Sequence, residues 1–402
     1  MNTASDKLPA LRPVQIVPLR NSDGQTLFAL HDPTRLAPRA VAVSPAAYFV
    51  LAHLDGQHSC QDIQAALQAN LGAQVSEDDI HRLVNTLDEA LFLQGPRLQA
   101  ALEERRAGYL AAPSRDCRER YPDAVALRRT IEQLLAGGVT APVPDVRGLI
   151  APHLDYERGA PCYADAYATL AAAGKADRYV ILGTNHFGQS ASAVATTKDF
   201  QTPLGLVPVD QDFLTRLAAL LGTDLCEHQA DHFAEHSIEL QVLILQVVMD
   251  GRAFEIVPIL CPDACGPTGL HPADGRGPDL GTFADALAEL LKTTDRPTVV
   301  IAGADLSHVG QHFGDSAPTT AAVLEQVADS DRRLLRLLEE RREDEFIRQI
   351  AASRNHTRIC STGAIYATLR CLPGRPCRVL SYHQAVQMEA ETHVTCAAAV
   401  LS

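Results

Sequence analysis

The sequence predicts an α/β fold, with a mostly parallel open sheet covered by helices on both faces, preceded by a small winged-helix-like domain made of a hairpin and three helices. Three observations lead there. From residue 146 onward, short and continuously apolar runs alternate with amphipathic helical stretches, the pattern of a sheet buried on both sides. The first hundred residues lack that alternation and open on a hairpin signal instead. At 402 residues the chain is also too long for one small domain. The expected organisation is a peptide-binding or accessory domain over 1–100, a helical junction and linker over 101–145, and the α/β domain over 146–402.

In chain order, "VQIVPL" and "TLFAL" flank "NSDGQ", whose Asp-Gly pair suits a hairpin turn. Ser44 and Pro45 open a first helix, "SPAAYFVLAHL", as cap and first helical residue. A second, "CQDIQAALQANLG", stops at Gly72, and a third opens at Ser76 with acidic residues in its first turn. In that third helix Ile80, Leu83, Val84, Leu87 and Leu91 fall on one face. The junction holds "LQAALEERRAGYL", "DAVALRRTIEQLLAGG" and the extended "VTAPVPD". The α/β region then reads as strand "VRGLIAP", helix "GAPCYADAYATLAAAG", strand "RYVILG", helices "QDFLTRLAALLG" and "HSIELQVLILQVVMD", strand "FEIVPIL", helix "GTFADALAELLKTT" and strand "PTVVIAG". "RVLSYHQAV" and "HVTCAAAVLS" add late strands.

A formal net charge of −14 argues against a nucleic-acid surface, which needs clustered Lys and Arg. The start, "MNTASDKLPALRP", lacks a basic stretch followed by an apolar core, and no apolar run approaches the ~20 residues of a membrane span. A cytoplasmic location with neither membrane nor nucleic acid as partner is expected, and the ten scattered cysteines are expected to be reduced. Cys261 and Cys265 in "CPDAC" have no second pair to complete a zinc knuckle. Walker, His-Glu-x-x-His, Gly-x-Ser-x-Gly and Gly-x-Gly-x-x-Gly signatures are absent.

Three of the apolar strands end alike. "GLIAP" runs into His153, "YVILG" into Asn185 and His186, and "TVVIAG" into Asp305 with His308 three residues on. Carboxyl ends of parallel strands share one edge, so these groups are expected to meet. Cys360 precedes Ser361, Thr362 and a helical pattern, and a thiol at a helix N-terminus is biased toward thiolate, the form that binds metal. "EHQADHFAEHSIELQ" places His228, His232 and His236 four apart, with Glu235 and Glu239 alongside. If helical, that segment presents a metal-binding or pocket-lining face; otherwise it is a solvated polar face. Glu235, His236, Glu239 and Asn185 are candidates for lining a pocket.

The stretches "LIAPHLDYERGAPCYADAY", "VILGTNHFG", "EHSIELQ", "VIAGADLSHVG", "TRICSTGAIYATL" and "VLSYHQAVQ" resemble, in order and rough spacing, the motifs of the Memo family. "YPDAVALRRTIEQLL" looks like its opening helix, so the resemblance runs from about residue 115 to 402. Members are also named as protein B of the AmmeMemoRadiSam system, which implies a radical-SAM enzyme and an AMMECR-like protein as partners. The fold is similar to that of class III, LigB-type extradiol dioxygenases. By this resemblance His153, His186 and Cys360 are metal ligands for copper or iron, and Asp305 and His308 the nearby pair. Where the family usually has Ala-Gly, this chain has Leu154-Asp155; Phe187 stands where many members have a second histidine; and Ser361-Thr362 replaces Gly-Arg. The first hundred residues, through "LDGQHSCQDI" and "VSEDDIHRLVNTLDEALFL", resemble PqqD-like modules that bind leader peptides.

The leading expectation is therefore a mononuclear site of His153, His186 and Cys360. Two imidazoles and a thiolate suit iron or copper, with zinc a poorer fit, and argue against magnesium or calcium. Asp305 or His308 would act as base, proton carrier or further ligand, in a metal-dependent redox or dioxygenase-like reaction on a small substrate. The alternative is a non-enzymatic metal- or peptide-binding partner of a radical-SAM system.

Overall fold

The computed structural model describes residues 7–20, 24–138, 143–188, 190–266, 269–272 and 274–402. They form two compact units, Met1–Ala111 and Ala112–Ser402. In the first, antiparallel strands Gln15–Arg20 and Thr26–His31 pair in register from Gln15↔His31 to Arg20↔Thr26. Residues 21–23 of the expected turn lie outside the described residues. A short third strand, Val41–Val43, completes this sheet.

Helix Pro45–Leu51 is capped by the Ser44 side chain, and Cys60–Leu71 by a reciprocal Ser59–Asp62 capping box. The latter ends at Gly72, whose φ of 62° needs the freedom of glycine. The third helix, Glu77–Glu89, is shorter than the sequence suggests. It stops before Leu91, which turns the chain with φ 62° and so cannot extend the helical face; Ile80, Val84 and Leu87 are the fully buried members. They pack with Leu30, Ile63, Leu67 and Phe92. Helix Pro96–Ala111, expected in the junction, lies within this unit, whereas Ala124–Ala136 gives Leu127, Ile131 and Leu134 to the core of the second.

The second unit is built on an open, mixed sheet of eight strands. Its centre is parallel, in the order Gly148–Ala151, Thr298–Gly303, Arg178–Thr184, Glu255–Cys261. Its flanks are antiparallel. Cys377–Gln387 and Thr392–Leu401 form one long hairpin, whose second strand lies between Gly148–Ala151 and Asp305–Val309. The two-residue strand Val194–Ala195 caps the other edge.

Helices Ala160–Ala173 and Ser237–Met249 pack on the sheet and Ala124–Ala136 packs against both of them, while Thr362–Arg370 contacts the four central strands and is backed by Leu280–Lys292 and Glu343–Ala352. Ser237–Met249 is buried around almost its whole circumference, which explains its unbroken apolar sequence. Helices Ala321–Glu339 and Glu343–Ala352, and a small sheet of Ser114–Asp116, Asp199–Thr202 and Gly205–Val207, add to the predicted elements. Among the described residues no helix is long and apolar enough to cross a membrane.

Candidate metal centre

Three adjacent parallel strands, Gly148–Ala151, Thr298–Gly303 and Arg178–Thr184, deliver His153, Asp305 and His186 to one edge of the sheet. Helix Thr362–Arg370 starts beneath them and brings Cys360. The ligand atoms of His153, His186 and Cys360 lie within 4.8 Å of one another. Donors about 2.0–2.3 Å from a tetrahedral ion stand roughly 3.3–3.8 Å apart, so a small contraction around an ion suffices.

Each imidazole is aimed by its other nitrogen. His153 is 3% exposed, and its Nδ1 lies 2.9 Å from the Gly303 carbonyl oxygen, which can only accept. Nδ1 therefore carries the proton and Nε2 faces the site, 3.5 Å from Cys360 Sγ and 3.5 Å from Asp305 Oδ2. His186 Nδ1 lies 3.0 Å from Glu235 Oε2, which likewise leaves its Nε2 for ligation. The two rings meet edge to face, with centroids 4.9 Å apart. A second partner that fixes tautomer and orientation is the usual support of a metal-binding histidine.

The same geometry speaks against a Cys-His-Asp nucleophilic triad. There the carboxylate would hold Nδ1 while the thiol faces Nε2. Here Cys360 and Asp305 both approach Nε2, and Nδ1 is spent on a backbone carbonyl.

Burial opposes ionisation of Cys360, but His153 and His308 beside it, with hydrogen bonds from His153 and His186, hold its thiol well below the ordinary value. Burial works against charge on His153 as well, yet Asp305 and Cys360 lift its pKa to about 9. His186 is raised in the same sense, against burial, by Glu235 and Cys360. Thiolate and imidazoles thus share protons whose place a divalent cation would take.

Asp305 also builds the turn. Its Oδ1 accepts from the backbone N–H of His153 at 3.0 Å and of Leu154 at 3.2 Å. It belongs to a strand, Asp305–Val309, where the sequence suggested only a strand end. His308 is on the same strand, with Nδ1 3.0 Å from Leu306 O and its ring edge-on to Phe313 at 5.1 Å. Ser361 does not cap its helix; its hydroxyl accepts from Asp305 N–H at 3.0 Å and lies 3.1 Å from Thr184 Oγ1, tying the helix start to the sheet edge.

His186, Glu235 and His236 form a second group of potential donors. Glu235 is committed elsewhere: Oε1 accepts from the N–H of His236 and Ser237 at 2.8 and 2.9 Å, and Oε2 from the N–H of His186 at 3.0 Å. Burial would raise its pKa, but His186, His236 and these N–H groups hold it well below the carboxylate range. It orients His186 rather than competing for an ion. His236, with a side chain 39% exposed, stacks on His186 at 5.3 Å.

The other pocket candidates sort differently. Glu239 is not in the pocket: it is fully buried and ion-paired with Arg115 at 2.7 Å and Arg120 at 3.1 Å. Asn185 donates to Asp231 at 3.0 Å, and its buried Oδ1 has no hydrogen-bond partner among the described residues. His228, His232 and His236 share no face, because Gln229–Phe233 is a 3-10 turn and the helix begins only at Ser237. His232 is buried against Val194 O instead. Leu154 packs with Ala385, Val394 and Phe313, so of the two rim substitutions only Asp155 faces solvent, paired with Arg158. Phe187 lies 5.6 Å from the His186 ring. Cys261 and Cys265 are free thiols and, among the described residues, join no donor group. The Gly303 carbonyl escaped the sequence reading, since only strand register reveals it.

Residues 119–401 match the family described as Memo-like protein. A MEMO1 family protein of Aquifex aeolicus is 25% identical over 336 residues, 83% of either chain. One of Thermus thermophilus is 28% identical over 83% of this chain and 95% of its own. A MEMO1 family protein of Methanopyrus kandleri is 37% identical over 41% of this chain and 54% of its own. The solved structure of the uncharacterized protein JW3007 from Escherichia coli K12 aligns with 63% of this chain and 99% of its own at 11% identity. Its TM-score of 0.34 is too low to bear on function.

Proposed function

The chain belongs to the Memo family, and on that premise we propose that it is a metal-dependent protein whose His153, His186 and Cys360 hold a single iron or copper ion. The observation that carries this is the pair of oriented imidazoles: each has Nδ1 engaged, His153 Nε2 lies 3.5 Å from the thiol, and the donor atoms of both rings and the thiol lie within 4.8 Å of one another. Soft sulfur with two neutral imidazoles selects a transition metal over magnesium or calcium. Such an ion supplies one-electron redox chemistry and an open position for a small substrate. The chain's own groups would handle the protons: Asp305, with Oδ2 facing the ligand nitrogen, and His308, on the same strand, carry a proton to or from a substrate in the site.

The test is anaerobic purification from metal-supplemented cells, with metal content measured by mass spectrometry for the wild type and Cys360→Ala. Near-stoichiometric iron or copper, lost in the variant, is the expected result; no metal in either removes the reading.

A second reading concerns the first unit. Strand Gln15–Arg20 is an edge strand, paired on one side with Thr26–His31, and such an edge can accept an extended peptide by strand addition. On this reading the protein is a metal- or peptide-binding partner of a radical-SAM enzyme and an AMMECR-like protein. Titration of candidate leader peptides against the full chain, followed by backbone amide shifts of residues 15–20, tests it.

A further inference from the structure

The carboxylate that aims His186 stands on a short stretch with little regular structure. Gln229–Phe233 is a 3-10 turn, and Glu235 precedes the first residue of the following helix. Carbonyls in such a stretch have no intrahelical partners and must be satisfied from elsewhere. Two arginines do so. Arg115, on strand Ser114–Asp116 and 4% exposed, donates Nε to His232 O at 2.7 Å and Nη2 to Glu235 O, while Nη1 reaches Glu239 Oε2 at 2.7 Å. Its guanidinium lies over the Phe200 ring at 4.8 Å. Arg120 donates to Phe233 O at 3.0 Å and to the same Glu239 oxygen at 3.1 Å. Three carbonyls of one loop are thereby held by a planar, rigid fork and its neighbour, with Glu239 balancing the buried charge.

We propose that Arg115 is a positioning residue for the metal centre. It fixes the backbone of Glu235, the Glu235 carboxylate then fixes His186 through Nδ1 and the backbone N–H, and His186 Nε2 is thereby held toward Cys360. Arg115 lies ahead of the segment that matches the family, and it enters from a small sheet separate from the strands that carry the ligands. A buried ion pair is by itself weak support for stability, since desolvation offsets much of its attraction. What the Arg115 fork adds is direction: one side chain grips the loop at two carbonyls and at the helix that follows. The consequence for metal affinity rests on the reading of His153, His186 and Cys360 as ligands.

The test uses the full-length chain and Arg115→Lys, which keeps the buried charge beside Glu239 but cannot reach both carbonyls as well. Hydrogen exchange of the metal-free proteins is followed in peptides covering 183–188 and 229–240, and Co(II) affinity and the cobalt absorption bands are measured in parallel. Faster exchange confined to those peptides, a Co(II) dissociation constant about ten-fold higher and displaced cobalt bands are expected. A general loss of stability would not shift the bands of the metal that remains bound. Arg120→Gln, which releases only Phe233 O and one of the two ion pairs of Glu239, should act in the same direction more weakly, and serves if Arg115→Lys does not fold. Unchanged exchange with affinity within two-fold of wild type overturns the proposal. A wild type that binds no Co(II), beside a variant whose loop still opens, refutes the metal reading while the positioning role stands.

Discussion

Replacing Glu235 by Gln tests whether the second partner of His186, rather than its mere presence, makes the site. Glu235 accepts four hydrogen bonds, three from backbone N–H groups of His186, His236 and Ser237 and one from His186 Nδ1. An amide has one accepting oxygen. Turned toward His236 and Ser237, it sets its own NH2 against two donors of His186; turned the other way, it strands the two helix N–H groups. Either way two buried donors lose an acceptor, a cost of about 1–3 kcal/mol each where no water replaces it. The cheaper arrangement keeps the helix start intact and releases the His186 ring, which can then rotate or change tautomer. Loss of such a support weakens metal binding by about 10–100-fold, or roughly 1.4–2.7 kcal/mol. The assay is competition of wild type and Glu235→Gln against a chelator for Co(II), with circular dichroism to confirm the fold. Affinity within two-fold of wild type, under conditions where Cys360→Ala abolishes binding, would refute the claim that Glu235 orients a ligand.

Two further predictions follow from the charges. Because His153 keeps a proton up to a pKa of about 9 and His186 is raised in the same direction, protons compete with metal across the neutral range. Co(II) affinity should climb from pH 6 to 9, with proton release measurable in weakly buffered titrations; a flat profile would contradict protonated ligands. His232 behaves oppositely: burial, against the hydrogen bond to Val194 O, lowers its pKa to about 3. The unfolded chain binds that proton near pH 6.5, so the stability it contributes is complete above 6.5 and falls by up to about 1.4 kcal/mol per pH unit on the way to 3. His232→Gln should flatten the acid limb of urea midpoints measured from pH 7 to 4, and a variant falling as steeply as wild type would assign the acid sensitivity to other groups.

The cluster of candidate ligands was legible because a parallel sheet converts a local pattern into a shared place. An apolar run that stops at a polar residue marks a carboxyl end, and three such ends in adjacent strands must lie together, which is how His153, His186 and Asp305 meet. Cys360 was readable from the helix that follows it. The helical-face reading failed for Glu239 and for the three spaced histidines, because it assumes one continuous helix. The chain instead makes a 3-10 turn and starts its helix at Ser237, leaving Glu235 on the site side and Glu239 facing Arg115. Strands Ser114–Asp116 and Gly205–Val207 are three residues long, too short to show a period of two.

What sequence pattern conveys least is aim. Donor identity comes from residues at element ends, but the direction of each imidazole comes from contacts between residues far apart in the chain: His153 with Gly303, His186 with Glu235, and Glu235 with Arg115. This explains why Phe187 in place of a second histidine leaves three rings at the site. His236 arrives from the Glu235 loop and stacks on His186, so the same buried carboxylate that directs the His186 ring also holds its neighbour through the N–H of His236. Changes in that loop should therefore alter the aim of His186 and the place of His236 together, and Co(II) affinity of loop variants measured beside hydrogen exchange of 229–240 checks it.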